Sequence, residues 1–279
     1  MDIVVQAPYL APDDVDALVT LTDAAGVEPL SRATNDAVRL YNVTAAEGVT
    51  EACAAAGYDV AFIAVPRAAT AVRLVAMDMD STLITIECVD EIAGLAGIKP
   101  EVAAITAAAM RGEIDFAESL RRRVQLLAGL PVSVLATVYD EKLRLSPGAE
   151  SMIAAFHAFG AETLLVSGGF TYFTERLQQR LGLAGTLSNT LQVADGRLTG
   201  ALEGPIVDAE AKAAALRERA HAVHGANGVV LAIGDGANDL PMLAAADVSV
   251  AYHAKPVVRK AATYAIDHCG LDAVLNLFD

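Results

Sequence analysis

Cysteine, positive charge and long apolar runs are all scarce in this chain. Its 279 residues include three cysteines, Cys53, Cys88 and Cys269, far apart and without CxxC spacing. An odd and scattered set gives no disulfide framework and no zinc-ligand spacing, and it fits a reducing cytoplasm. Lysine and arginine number 20 against 35 acids, for a net charge of −15. Such a surface repels phosphate backbones and anionic lipid, so neither a nucleic acid nor a membrane is expected as a partner. A small anionic substrate stays compatible, because a site can be locally positive inside an acidic protein. The apolar stretch 102–110 is short, Ala-rich and bounded by Glu101 and Arg111. No such stretch reaches the roughly 18 residues that a membrane span needs. The opening Met1-Asp2-Ile3-Val4-Val5 has no basic region followed by a long apolar run, so a secretory leader is not expected.

What the chain does have is a core-forming composition, 54% hydrophobic, enough for one large domain or two smaller ones. Residues 1–70 read as β-α-β-β-α-β. A short apolar strand covers 3–6. Pro12, Asp13 and Asp14 then open a helix whose apolar face is Val15, Leu18 and Leu21, with Gly26 as its stop. Strands are expected over 27–33 and 37–43, joined by the polar turn Thr34-Asn35-Asp36. Thr44 is placed to cap a second helix running to Ala56, stopped by Gly57, and a last strand covers 60–65. This order is that of a ferredoxin-like unit.

From residue 71 the pattern changes to an α/β domain. Apolar strands are expected over 73–77, 163–166, 229–233 and 248–251, and each of the first three runs into a polar loop. Helices follow at 171–181 and 239–245. Strand, polar loop and helix in repetition indicate a doubly wound parallel sheet, whose site lies beyond the carboxyl ends of its strands. Two insertions interrupt it: a helical block over about 87–142, suited to a small cap, and a hairpin over 187–204 turning at Asp195-Gly196.

The three loops carry the chemistry. Asp78 and Asp80 follow the first strand two residues apart, so that one carboxylate can attack phosphorus while the other handles protons. Gly234-Asp235-Gly236-Ala237-Asn238-Asp239 again sets acids after an apolar strand, with glycines that admit a ligand to the backbone. Asp235 is placed to share a hard cation such as Mg²⁺ with Asp78, and Asp239 to hold metal waters or to orient Asp235. Ser167-Gly168-Gly169 offers a hydroxyl and open N–H groups to a phosphate at a helix start. Lys212 by itself reads as a solvated surface lysine, although two carboxylates and a phosphate need a cation nearby.

Asp78-x-Asp80-x-Thr82, Ser167-Gly168-Gly169, Lys212 and Gly234-Asp235-Gly236-x-Asn238-Asp239 stand in the order of the four motifs of the haloacid dehalogenase-like superfamily, which the chain resembles over residues 73–279. Within it, Glu87-Cys88-Val89-Asp90-Glu91 and the segment from Ile105-Thr106 through Met110, Phe116 and Arg123-Val124 are similar to the phosphoserine phosphatases. The resemblance implies hydrolysis of O-phospho-L-serine, the last step of serine biosynthesis, through an aspartyl-phosphate on Asp78. It implies Asp80 as general acid and then base, with Ser167 and Lys212 on the phosphoryl oxygens. It implies Mg²⁺ held by Asp78, the backbone carbonyl of Asp80 and Asp235. Glu87 would pair with the substrate ammonium and Arg123 with its carboxylate. Met110 and Phe116 would wall the pocket, and Gly168 and Asn238 would contact the substrate or its phosphate. Another small phosphomonoester such as phosphohomoserine, or phosphoryl transfer to an alcohol, is the alternative. A regulatory amino-acid-binding protein is disfavoured, since every motif acid is present.

Residues 1–70 are similar to ACT-like domains, which bind amino acids and pair between subunits. The loop Ala7-Pro8-Tyr9-Leu10-Ala11-Pro12 lacks the glycine common in the binding versions. That favours a homodimer contact or a structural role for this unit over ligand binding.

Overall fold

The computed structural model describes residues 1–223 and 228–279. Its first unit runs β1 (Asp2–Ala7), α1 (Pro12–Thr22), β2 (Gly26–Leu30), β3 (Asp36–Tyr41), α2 (Val49–Ala56) and β4 (Asp59–Ile63). The strands form an antiparallel sheet in the order β2-β3-β1-β4, the ferredoxin-like arrangement. Alternate residues of β1 face opposite ways. Ile3 and Val5 pack with Leu18, Val49 and Cys53 from the two helices, whereas Val4, with Ala61 and Ile63, joins the core of the rest of the chain. Burial on both faces explains why β1 reads as an unbroken apolar run.

Three local expectations differ in this unit. Thr44 does not cap α2; its hydroxyl donates to Asp23, and the helix starts four residues later than a Thr44 cap implies, after Gly48 in a left-handed conformation. Gly26 does not end α1 but begins β2, because Asp23 itself takes the left-handed turn, with φ 46°. The turn between β2 and β3 is longer than expected, as β2 ends at Leu30.

The second unit continues with β5 (Val72–Met77), α3 (Cys88–Leu95), α4 (Lys99–Met110), α5 (Phe116–Gln125), α6 (Ser133–Thr137), α7 (Ala149–Ala158), β6 (Glu162–Phe170), α8 (Thr171–Leu181), β7 (Gly185–Ala194), β8 (Arg197–Glu203), α9 (Ala209–Val223), β9 (Val229–Gly234), α10 (Leu240–Ala244), β10 (Val248–Tyr252), α11 (Pro256–Ala261) and β11 (Tyr264–Ile266). A seven-stranded sheet runs β11-β10-β9-β5-β6-β7-β8, parallel except for the β7–β8 hairpin. This is the doubly wound α/β class that the sequence indicates. Leu74 and Ala76 of β5 pack on the side of α9 and α10, and Val75 and Met77 on the side of α7 and α8. Each fully buried Leu, Val or Met side chain contributes roughly 1.5–3 kcal/mol.

The hairpin also reaches the helical block. Gly129 N–H donates to the Leu198 carbonyl, Leu198 N–H donates to the Leu130 carbonyl, and Val132 N–H donates to the Gly196 carbonyl. Gly200, at φ 84°, lets β8 lie against the end of α5: a Cβ there would sit 3.2 Å from the Gln125 carbonyl oxygen and 2.8 Å from the Cβ of Ala128, just beyond the helix. The helix carrying Arg123 is therefore braced by the strand hairpin.

Candidate active site

The first strand of the parallel sheet, β5, lies between β6 and β9. Met77 is in register with Leu165 on one side and Ile233 on the other. The carboxyl ends of the three strands are thus level, and Asp78, Ser167 and Asp235 come from adjoining strand ends at the point where the winding reverses. Asp78 N–H still donates to the Ile233 carbonyl, 3.0 Å, before the chain turns. The turn needs Ser81 in a left-handed conformation, φ 57°.

Lys212 is not a solvated lysine. Helix α9 inserts it under the strand ends, where it is 1% exposed and donates to Asp78 Oδ1 at 2.7 Å and to Asp239 Oδ1 at 2.8 Å. Burial opposes its charge, but Asp78 and Asp239 outweigh that and hold its pKa above the ordinary lysine value. Burial, then the charge of Asp239, pushes the Asp78 carboxyl up, and Lys212 pulls it back. Met79 N–H donates to the same Asp78 oxygen at 2.7 Å.

Carboxylate oxygens of Asp78, Asp235 and Asp239 lie within 4.8 Å of one another. Asp235 accepts from Thr82 Oγ1 at 3.3 Å; burial and then Asp239 raise its carboxyl to about 6. Asp239 itself is bound to Lys212 and to Gly236 N–H at 3.0 Å rather than to the Asp235 carboxylate. The Asp80 side chain is absent from this trio. It accepts from Cys88 N–H at 3.3 Å and lies beside Gly169, where one carboxylate oxygen is 3.1 Å from the place a Cβ would take. Protein enclosure, then the charge of Glu87, raises its carboxyl to about 7, although one side stays open to the cavity. At neutral pH a large share of Asp80 is protonated and able to donate.

Asp78, Asp80, Asp235 and the Ser167-Gly168-Gly169 loop line one cavity of about 720 Å³ between the strand ends and the helical block, whereas Lys212 and Asp239 are buried behind its wall. From the block come Glu87, Met110, Phe116 and Arg123. Glu87 accepts from Ser81 Oγ at 2.8 Å. Arg123 is partly buried; burial lowers its pKa, while Asp90, Glu87 and Asp80 work against that. The Phe116 ring covers Gly168, where an added Cβ would be 2.9 Å from its Cζ. Met110 is 71% exposed, so it stands at the mouth rather than in a packed core. Asn238 lines the floor beside Asp235.

Every residue singled out in the sequence thus has a side chain or backbone at this one cavity or immediately beneath it. Thr82 was visible only as part of a motif and receives its place here as the partner of Asp235. Asn189 and Lys255 carried no signal. Asn189 sits under Gly168, and Lys255 lines the cavity beside Asp235, to which its N–H donates at 3.1 Å.

The sequence profile described as haloacid dehalogenase-like hydrolase matches residues 75–244. A phosphoserine phosphatase from Polaromonas sp. is 53% identical over 210 residues, which cover 74% of this chain and 89% of that protein. The unliganded crystal structure of a probable phosphoserine phosphatase from Vibrio cholerae superposes with a TM-score of 0.84 at 39% identity, over 99% of this chain and 85% of that one. A substrate-bound phosphoserine phosphatase superposes with a TM-score of 0.69 at 35% identity, over 75% of this chain and 99% of that one.

Proposed function

The chain belongs to the haloacid dehalogenase-like hydrolases, and we infer from its site that it is a phosphoserine phosphatase, converting O-phospho-L-serine and water to L-serine and phosphate. One observation carries the reading. A single cavity holds a phosphate-handling end, made by Asp78, Asp80, Ser167 and Gly168, and an end with one anion and one cation, Glu87 and Arg123. Phosphoserine presents a phosphate, an ammonium and a carboxylate, and the two charged side chains suit the last two.

Asp78 is the nucleophile. Its carboxylate oxygen bonds to phosphorus as the bond to the serine oxygen breaks, and Asp80 gives that oxygen its proton. Asp80, now a base, takes a proton from water as the water oxygen bonds to phosphorus and the bond to Asp78 breaks. A carboxyl held at about 7 exchanges a proton in either direction with little free-energy cost at neutral pH. Lys212 and Ser167 hold charge developing on the phosphoryl oxygens. Phe116 and the helical block cover one side of the cavity.

Three clustered carboxylates, two of them buried, against a single buried lysine suit a hard cation with oxygen ligands. Asp78, Asp235 and the backbone carbonyl of Asp80 would hold Mg²⁺, while Asp239 holds Lys212. Bound Mg²⁺ supplies charge neutralisation at the phosphoryl group. The acidic composition and three unpaired cysteines support a cytoplasmic enzyme, and the proposed reaction would be the last step of serine biosynthesis. No helix among the described residues is long and apolar enough to cross a membrane. The first unit is read as an ACT-like domain. One face of its sheet is taken by the rest of this chain, so a homodimer would form through α1, α2 or the β2 edge. Light scattering tests that pairing.

Phosphate release from O-phospho-L-serine, with and without Mg²⁺, tests the reaction. Phosphohomoserine and glycolate phosphate serve as competitors. A better kcat/KM on either would reject the assignment of Glu87 and Arg123. Asp78→Asn is expected to abolish turnover, and retained turnover rules out this nucleophile.

A further inference from the structure

We infer that Asn189 is a positioning residue for the phosphoryl grip, setting Ser167 and Lys212 through two hydrogen bonds from one buried amide; this rests on the phosphatase reading above. Asn189, on β7, is 2% exposed. Its Nδ2 donates to the Gly168 carbonyl at 2.8 Å, and its Oδ1 accepts from Val207 N–H at 2.8 Å.

The first bond acts on a single peptide plane. The β6–β7 ladder is interrupted between Val166 and Phe170, where Phe170 comes into register with Asn189. In that gap the Gly168 carbonyl is held by the Asn189 side chain. The N–H on the other side of the same peptide unit, that of Gly169, donates to Ser167 Oγ at 2.9 Å. The peptide group is planar, so holding its carbonyl also aims its N–H. With Gly169 N–H occupying a lone pair of Ser167 Oγ, the hydroxyl hydrogen is free to be directed at a phosphoryl oxygen. Glycines on both sides of this peptide leave it free to rotate if the carbonyl is released.

The second bond acts on α9. Val207 directly precedes Asp208, whose Oδ1 accepts from Ala211 N–H at 2.9 Å and whose backbone carbonyl accepts from Lys212 N–H at 3.0 Å. The first turn of α9 thereby delivers Lys212 to Asp78. Asn189 fixes the two groups that hold the phosphoryl oxygens relative to each other, without itself lining the cavity.

The test is a double-mutant cycle of Asn189→Asp and Ser167→Ala, read as kcat and KM with O-phospho-L-serine and, in parallel, p-nitrophenyl phosphate. Asn189→Asp keeps the acceptor for Val207 and replaces the donor to Gly168 with an oxygen. It is expected to lower kcat by about 10- to 100-fold, with KM for the amino-acid end changed little. In the Ser167→Ala background the same change is expected to cost less than about 3-fold, since residues acting through one group are not additive. Equal losses in both backgrounds, or unchanged kcat, overturn the inference. Asn189→Ala repeats the cycle if the aspartate variant does not fold; failure of both to fold assigns the amide to stability alone and also overturns it. A wild type active on p-nitrophenyl phosphate but not on phosphoserine rejects the substrate reading and leaves the cycle measurable. A wild type inactive on both rejects the phosphatase reading and this inference together.

Discussion

Lys212 Nζ lies 2.7 Å from Asp78 Oδ1, and both side chains are buried. The lysine is shared with Asp239 at 2.8 Å, so one cation balances two buried carboxylates. Removing it by Lys212→Ala leaves those acids unpaired, a defect of about 3 kcal/mol in buried ion pairs. We expect kcat to fall at least about 100-fold, the order seen when one preorganised donor is removed from a developing charge. Urea unfolding is expected to show the stability loss at pH 8 and a smaller one at low pH, where the acids are neutral.

The acid cluster sets a pH dependence for the metal-free protein. Asp235 is held at about 6, and Asp78 is also raised above its ordinary value. Between about pH 4 and pH 6 the folded state therefore binds more protons than the unfolded chain, so stability contributed by these groups is present at low pH and lost as pH rises. Mg²⁺ held there, as proposed above, would relieve the same repulsion only when the carboxylates are ionised. We expect it to raise Tm by about 5 °C at pH 8 and by almost nothing near pH 4.5. An equal rise at both would place the cation elsewhere.

Arg123 is braced on α5 and faces the acids of the cavity. Its guanidinium is read as the partner of the substrate carboxylate. Arg123→Ala is expected to raise KM for phosphoserine about 10- to 100-fold, as expected for loss of a charge-assisted contact. Hydrolysis of p-nitrophenyl phosphate, which has no carboxylate, should change by less than about 3-fold. Equal effects on both substrates would assign Arg123 to the packing of the helical block.

The two units are joined by polar contacts as well as by a continuous core. Asp59, on β4 and 4% exposed, accepts from the N–H groups of Asp267 at 2.7 Å, His268 at 3.1 Å and Cys269 at 3.0 Å. Asn276 Nδ2 donates to Gln6 Oε1 at 3.0 Å, and Arg39 pairs with Asp279. Asp59→Ala would strand three N–H groups at this seam. Denaturation is expected to show a loss of about 2–4 kcal/mol with kcat per folded molecule unchanged. A fall in kcat would instead tie the seam to the active site.

The amino-acid sequence alone determined the strands that feed the site and the acids at their ends. An apolar run followed by Asp78 or Asp235 is a local pattern, because strand burial and the exit of a polar loop are both encoded within a few residues. The β7–β8 turn at Asp195-Gly196 was readable for the same reason, and both residues take left-handed conformations there. The start of α2 was not, because Gly48 and the Thr44–Asp23 contact compete with a Thr44 cap that local pattern favours. Lys212 reads by itself as a surface residue; its burial follows from packing α9 under β5 and β6, and the charges of Asp78 and Asp239 make that burial tolerable. The roles of Asn189 and Asp59 arose only in the tertiary structure. Each satisfies backbone groups 18 or more positions away in sequence, and no local pattern records which distant N–H or carbonyl will lack a partner.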